Sequence, residues 1–248
     1  MNQNTIFTKI TKAHDNKNHA SSTRPLKTNC YRMKTLLAIL IPLIMLLSCT
    51  PNNQIGIFEN SYDVGNPQKK GSATYNSADQ SYTVKGGGYN IWFERDEFFF
   101  LYNKMQGDFI LTANFEFIGI GQNIHRKYGW TVRETLDDKS IHMTAAIHNT
   151  GLTILQWRPE YGVNMRDPED ELFADSSHYN IIQLERFGKT FTMRVAYNGQ
   201  PFETVGSHEM INMPDEVLVG LFVCAHEPDA LEEARIWNVR IDKPSANN

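Results

Sequence analysis

The chain is predicted to be all-β, folded as a sandwich or jelly roll. Three features predict this. Beyond Phe58, short runs dense in aromatic and β-branched residues recur, divided by Gly, Asn and Asp. Apolar and polar residues alternate with period two inside the runs, and almost nothing repeats at the helical period. Turn signals join neighbouring runs: Asn149-Thr150-Gly151, Phe187-Gly188-Lys189 and Asn198-Gly199-Gln200.

The predicted strands are 72–75, 81–85, 98–102, 109–118, 128–134, 142–147, 152–157, 180–187, 190–197, 202–211, 217–225 and 234–241. The first two are short and β-rich, and 98–102 is wholly apolar or aromatic. In 109–118, Phe109, Leu111, Ala113, Phe115 and Phe117 share one face. In 128–134, Trp130 and Val132 oppose Thr131 and Arg133. In 152–157 and its continuation, Thr153, Leu155 and Trp157 oppose Ile154, Gln156 and Arg158. Arg133, Gln156 and Arg158 are therefore expected on one open, polar sheet face. Along 190–197, Phe191, Met193, Val195 and Tyr197 repeat the pattern. The run 217–225 is apolar and carries Cys224, which reads as a buried thiol. Trp130 and Trp237 alternate with apolar neighbours and read as core. No repeat of fixed period and no boundary for a second domain is visible.

The N-terminal region has a different character. The stretch "MKTLLAILIPLIMLLSC", 33–49, holds an apolar run too short to span a bilayer, with Arg32 and Lys34 before it. It ends in Leu46-Leu47-Ser48-Cys49, which resembles a bacterial lipobox. That resemblance implies a signal peptide over 33–48, cleavage before Cys49 and acylation of that residue. Buried acyl chains then anchor the protein, at roughly 0.8 kcal/mol per CH₂. Residues 49–58 read as a linker, and 59–243 as the folded domain. Residues 1–32 are polar and build no core. They fit either an over-extended gene start, with Met33 the true one, or a long polar n-region.

Composition narrows the function. The chain has 248 residues and a formal net charge of -4, too mild to argue for nucleic acid. Hydrophobic residues make up 41%, enough for one domain to stand on its core. With Cys49 lipidated and Cys30 in the extension, Cys224 has no disulfide partner in the domain, and no zinc cluster through cysteines is possible.

Four segments carry a wider resemblance: "DVGNPQKKGSATYNSADQSYTVKGGGYNIWFERDEFFFLYNKMQGDF", "YGWTVRE", "IQLERFGKTFTMRVAYNGQPFETVGS" and "VLVGLFVCAHEPDALEEARIWNVRI". Together they resemble the DUF1349 group of the concanavalin A-like lectin/glucanase superfamily, over about residues 59–242. The resemblance implies a two-sheet antiparallel jelly-roll sandwich with a concave face. Its members often occur in secreted, carbohydrate-related proteins, and His226 matches a histidine of the group at a strand end.

Candidate site residues follow from sugar chemistry. Aromatic faces stack on C–H faces, while Arg, Asn, Gln and Asp bond hydroxyls. Trp92 follows Gly86-Gly87-Gly88, and Trp157 ends a strand, so both are candidate rim aromatics. Arg133, Gln156 and Arg158 join them, and the resemblance adds His226 to the candidate ligand set. A glycosidase needs two carboxylates flanking the bond. Glu94-Arg95-Asp96-Glu97 has the wrong parity for the usual one-strand arrangement, so Asp96 and Glu134 are weak catalytic candidates from different strands. Asp167, Glu169 and Asp170 lie in an acidic loop that suits calcium or is simply solvated. His142 and His148 lie too far apart along one strand to chelate one ion.

These observations predict a bacterial envelope protein, lipid-anchored and expected in the outer membrane, with a non-catalytic carbohydrate-binding sandwich. No cofactor is required, although calcium fits the acidic loop. A glycoside hydrolase or lyase, or a structural lipoprotein with a protein partner, is the alternative.

Overall fold

The computed structural model describes residues 54–244. The 1–32 extension, the signal at 33–48 and the lipidation candidate Cys49 lie outside the described residues. The strands are β1 Asn60–Val64, β2 Ser72–Asn76, β3 Ser81–Gly86, β4 Ile91–Trp92, β5 Arg95–Asp96, β6 Phe98–Gln106, β7 Phe109–Ile118 and β8 Lys127–Arg133. They continue as β9 His142–His148, β10 Thr153–Arg158, β11 Glu171–Phe173, β12 Ile181–Phe187, β13 Thr190–Ala196, β14 Glu203–Glu209, β15 Glu216–Cys224 and β16 Glu232–Asp242. No helix occurs among the described residues.

Two seven-stranded antiparallel sheets form the sandwich. One has the order β1-β6-β15-β8-β9-β10-β11, the other β14-β13-β12-β7-β16-β3-β2. This is the expected all-β jelly roll. Every predicted strand is present. The additional ones are short or polar: β1 reads NSYDV, β4 and β5 have two residues each, and β11 lies in the acidic loop.

Alternation decides what faces the core. Trp130 and Val132 of β8, Leu101 of β6 and Leu221 of β15 point inward from the first sheet. Leu111 and Phe115 of β7, Leu184, Phe191 and Ile236 meet them from the second. Burying one such side chain stabilises the fold by roughly 1.5–3 kcal/mol. Trp157 belongs to this core, as its parity with Leu155 requires, and its ring stacks on His208 with centroids 3.8 Å apart. Trp237 corrects an expectation. It sits half-buried on the outer face of the second sheet, with the Arg235 guanidinium 5.0 Å from its ring centroid. Ala234 and Ile236 take the core face, so the period of two puts Trp237 with Arg235 on the other.

The second face of the first sheet is not open. The β4–β5 hairpin lies over it, and Ile91 packs into a cluster with Phe98, Phe100, Ala146, Ile154, Phe222 and Cys224. The Gly-rich entry allows this close approach. At Gly88, with φ +105°, a Cβ would stand 2.1 Å from the Glu97 carbonyl oxygen.

Candidate functional site

Two different environments share that covered face. At the β8 end near Arg133, the hairpin delivers Asp96 into the sheet. Asp96 accepts from Arg133 Nη1 at 2.7 Å, from Arg158 Nη1 at 2.8 Å and from Arg158 Nη2 at 2.6 Å. All three side chains are fully enclosed. Arg158 also donates to the Phe93 and Ser140 carbonyls, and Arg133 to those of Thr135 and Asp137. Burial alone would raise the Asp96 pKa. The positive groups around it, His142 when protonated and the two guanidiniums, more than offset this and hold it at about 2. His142 donates or accepts at Thr144, and burial pushes its pKa well below the ordinary value.

This cluster corrects four expectations. Arg133 and Arg158 do share one face with Gln156, but a carboxylate saturates them and no ligand reaches them. Asp96 is their counter-ion and is enclosed, not an acid at a cleft. Glu134, half-buried, follows Arg133 on the opposite parity and hydrogen-bonds through its backbone to Ile141, so it does not pair with Asp96. Trp157 is core and forms no rim.

At the other end of the same face lies a cavity of about 320 Å³. Asn90 and Trp92 of the hairpin region form one wall, and Lys127, His148, Ile154 and Gln156 form the floor. His125, His226, Asp167, Glu171 and Phe173 complete the lining with Leu152. Strand register explains the grouping: Lys127 pairs with His148 on one side and with Cys224 on the other, and His226 follows two residues later. Arg126, ion-paired to Glu232 and bonded to Asn149, fixes the backbone beside His125.

Three imidazoles meet here. The His125 ring lies 5.9 Å from that of His148 and 5.3 Å from that of His226, centroid to centroid. His226 takes φ 56°, uncommon for a non-glycine residue, and its ring stacks on Tyr89. Both ring nitrogens of His148 and Nδ1 of His226 are buried without a hydrogen-bond partner. Burial and the Lys127 charge hold His148 at about 2 and His226 at about 4. Lys127 is itself enclosed. Burial lowers its pKa, and its ammonium donates to Asn90 Oδ1 at 2.8 Å. Gln156 Nε2 donates to the Ile91 carbonyl at 2.6 Å.

The acidic loop divides between two roles. Asp170 is buried and receives the Arg166 backbone N–H at 2.8 Å and its guanidinium at 2.9 and 2.8 Å. Glu169 is exposed. Asp167 and Glu171 line the cavity, and burial together with Asp167 raises Glu171 to about 7. Among the described residues, no group of three or more His, Cys, Asp or Glu side chains is arranged to hold a metal.

Of the expected ligand residues, the structure thus brings Trp92, Gln156 and His226 to one cavity. Sequence reasoning missed His125 and Lys127, weighed His148 only as a metal ligand and Glu171 only as part of the acidic loop. The shared parity of His142 and His148 is a usable signal, because it places both on the face of Arg133.

No protein-family model matches the chain, and no curated protein matches it either. Solved structures do resemble it. A functionally unknown protein from Saccharomyces cerevisiae superposes with TM-score 0.57 at 14% identity, over 75% of this chain and 97% of that one. The carbohydrate binding module CBM66 from Bacillus subtilis gives 0.46 at 14%, over 77% and 98%. Lectin UEA-II complexed with galactose gives 0.46 at 9%, over 76% and 100%. The likeness to the yeast protein is one of fold, a sandwich of two antiparallel sheets.

Proposed function

We propose that the protein binds a glycan non-catalytically in the cavity beside the β4–β5 hairpin. The observation that carries this is the cavity lining itself. Trp92 and Phe173 offer aromatic surface for sugar C–H faces, and Asn90, Lys127, Gln156, Asp167, Glu171 and three histidines surround it with donors and acceptors. In this proposal a lipid on Cys49 tethers the domain to a bacterial envelope, with the outer membrane as its place, and the DUF1349 resemblance belongs to the same picture. A glycan array with the purified protein tests it, with Trp92→Ala as the control and calcium added or chelated to test Asp167 and Glu169 as ion ligands. Saturable binding lost in Trp92→Ala supports the reading. Absence of binding to every glycan overturns it. Incorporation of labelled palmitate that Cys49→Ala abolishes tests the anchor.

One observation favours a second reading. Glu171, at about 7, is a carboxylic acid able to exchange a proton near neutrality in the same cavity as the imidazoles. Cleavage of a bound oligosaccharide, abolished by Glu171→Gln, would replace binding by hydrolysis or elimination.

A further inference from the structure

We propose that the glycan this cavity takes is acidic, with a sugar carboxylate seated against Lys127 and the histidines and its hydroxyls turned to Asp167 and Glu171. The inference rests on the glycan reading above and deepens it. Its starting point is an imbalance. Lys127 is almost wholly enclosed, yet among the described residues it forms no ion pair; its one hydrogen bond goes to the neutral Asn90 amide oxygen. An enclosed ammonium is costly without an anion to face it. Asp96, the buried carboxylate of this face, is already held by two guanidiniums. Glu171 lines the same cavity and its charge acts on Lys127, but it forms no ion pair with the ammonium and keeps its proton up to about 7, so a ligand anion supplies the direct partner.

The neighbouring groups fit this division of labour. His148 is 7% exposed, with both ring nitrogens unpartnered, and His226 has Nδ1 unpartnered. A neutral imidazole still carries one N–H, so these rings donate to a carboxylate without adding a second buried charge. Across the cavity, Asp167 and Glu171 are acceptors and suit hydroxyl donors. A neutral sugar leaves Lys127 without a direct ion-pair partner. A simple anion leaves the carboxyl wall and the Trp92 face unmatched. An acidic sugar ring satisfies all three.

The test compares uronate oligosaccharides with the same chains after their carboxyls are reduced to primary alcohols, using calorimetry on the purified protein. Reduction is expected to weaken binding by about tenfold or more, the usual effect of losing a charge-assisted hydrogen bond. Lys127→Met keeps the apolar stem and is expected to remove the preference for the acidic form. Salt dependence of wild-type binding gives an independent reading: affinity for the uronate falls with ionic strength, while a neutral ligand barely responds. Equal binding of the acidic and reduced chains, lost in Trp92→Ala, overturns this inference and leaves the glycan reading standing. Preference for sulfated or neutral sugars over uronates also overturns it. Absence of binding to any of them removes both readings.

Discussion

Asp96 and Arg158 meet in a two-point ion pair, Oδ1 to Nη2 at 2.6 Å and Oδ2 to Nη1 at 2.8 Å, beneath a hairpin of four paired residues. Arg133 takes the same carboxylate from β8, two strands away from Arg158. Asp96→Asn leaves two guanidiniums enclosed without a counter-charge. It is expected to cost about 3–5 kcal/mol, and its melting temperature should fall by about 10 °C. Calorimetric melting of the variant checks this. An unchanged melting temperature would mean the hairpin is not held by this pair.

Acid should weaken the fold over two pH ranges. His148 and His226 are kept below the ordinary value of 6.5, at about 2 and about 4, so they bind protons more readily unfolded than folded. The stability they contribute is fully present above about 6.5 and is lost as pH falls toward their folded values. Each proton contributes a slope of about 1.4 kcal/mol per pH unit. Asp96, lowered to about 2 from 3.8, adds its own loss only below about 4. Glu171, raised to about 7, works the other way between about 7 and 4.5, so urea unfolding should show the histidine loss most clearly from about pH 4.5 to pH 3, where His148→Gln should reduce the slope by about one proton.

Much of this architecture is legible in the amino-acid order alone. The alternation of Phe109, Leu111, Ala113 and Phe115 names the buried side of β7, and the same rule puts Arg133, Gln156 and Arg158 together. What alternation does not say is whether something lies on a face. Here the cover is a hairpin of two-residue strands, too short to show any period. It converts an expected polar surface into a buried ion cluster. Lys127 is hidden from such a reading for a related reason. A lysine opening a strand ordinarily reads as an exposed end, and only the register with His148 and Cys224 encloses it.

Trp92 and Trp157 should separate binding from stability. Trp157→Ala empties space in the core beside His208 and is expected to cost about 3–5 kcal/mol. Trp92→Ala lies on the cavity wall and is expected to leave the melting temperature nearly unchanged while abolishing glycan binding. Paired melting and binding measurements on the two variants decide this.

The Cys224 thiol is fully buried, and burial pushes it up to about 11. It should resist thiol reagents in the native state and react once guanidinium unfolds the chain. Peptide mapping after alkylation measures both. Fast native labelling of Cys224 would mean the hairpin opens readily.

Acidic-sugar affinity should rise as pH falls through about 7. Glu171 loses its charge there, while Asp167, Lys127 and the three histidines face the same space. Glu171→Gln is expected to flatten this profile in titration calorimetry.

The hairpin is gripped along its length. Lys127 holds the Asn90 side chain, Gln156 the Ile91 carbonyl, and Arg158 the Phe93 carbonyl together with Asp96. Trp92 sits between these tethers. Its backbone is therefore immobilised in the free protein, and association does not have to arrest a loose loop. The conformational entropy that a mobile lid would forfeit on binding was lost when the chain folded. A ligand seated at this wall would meet a preformed shape and require little rearrangement of the protein.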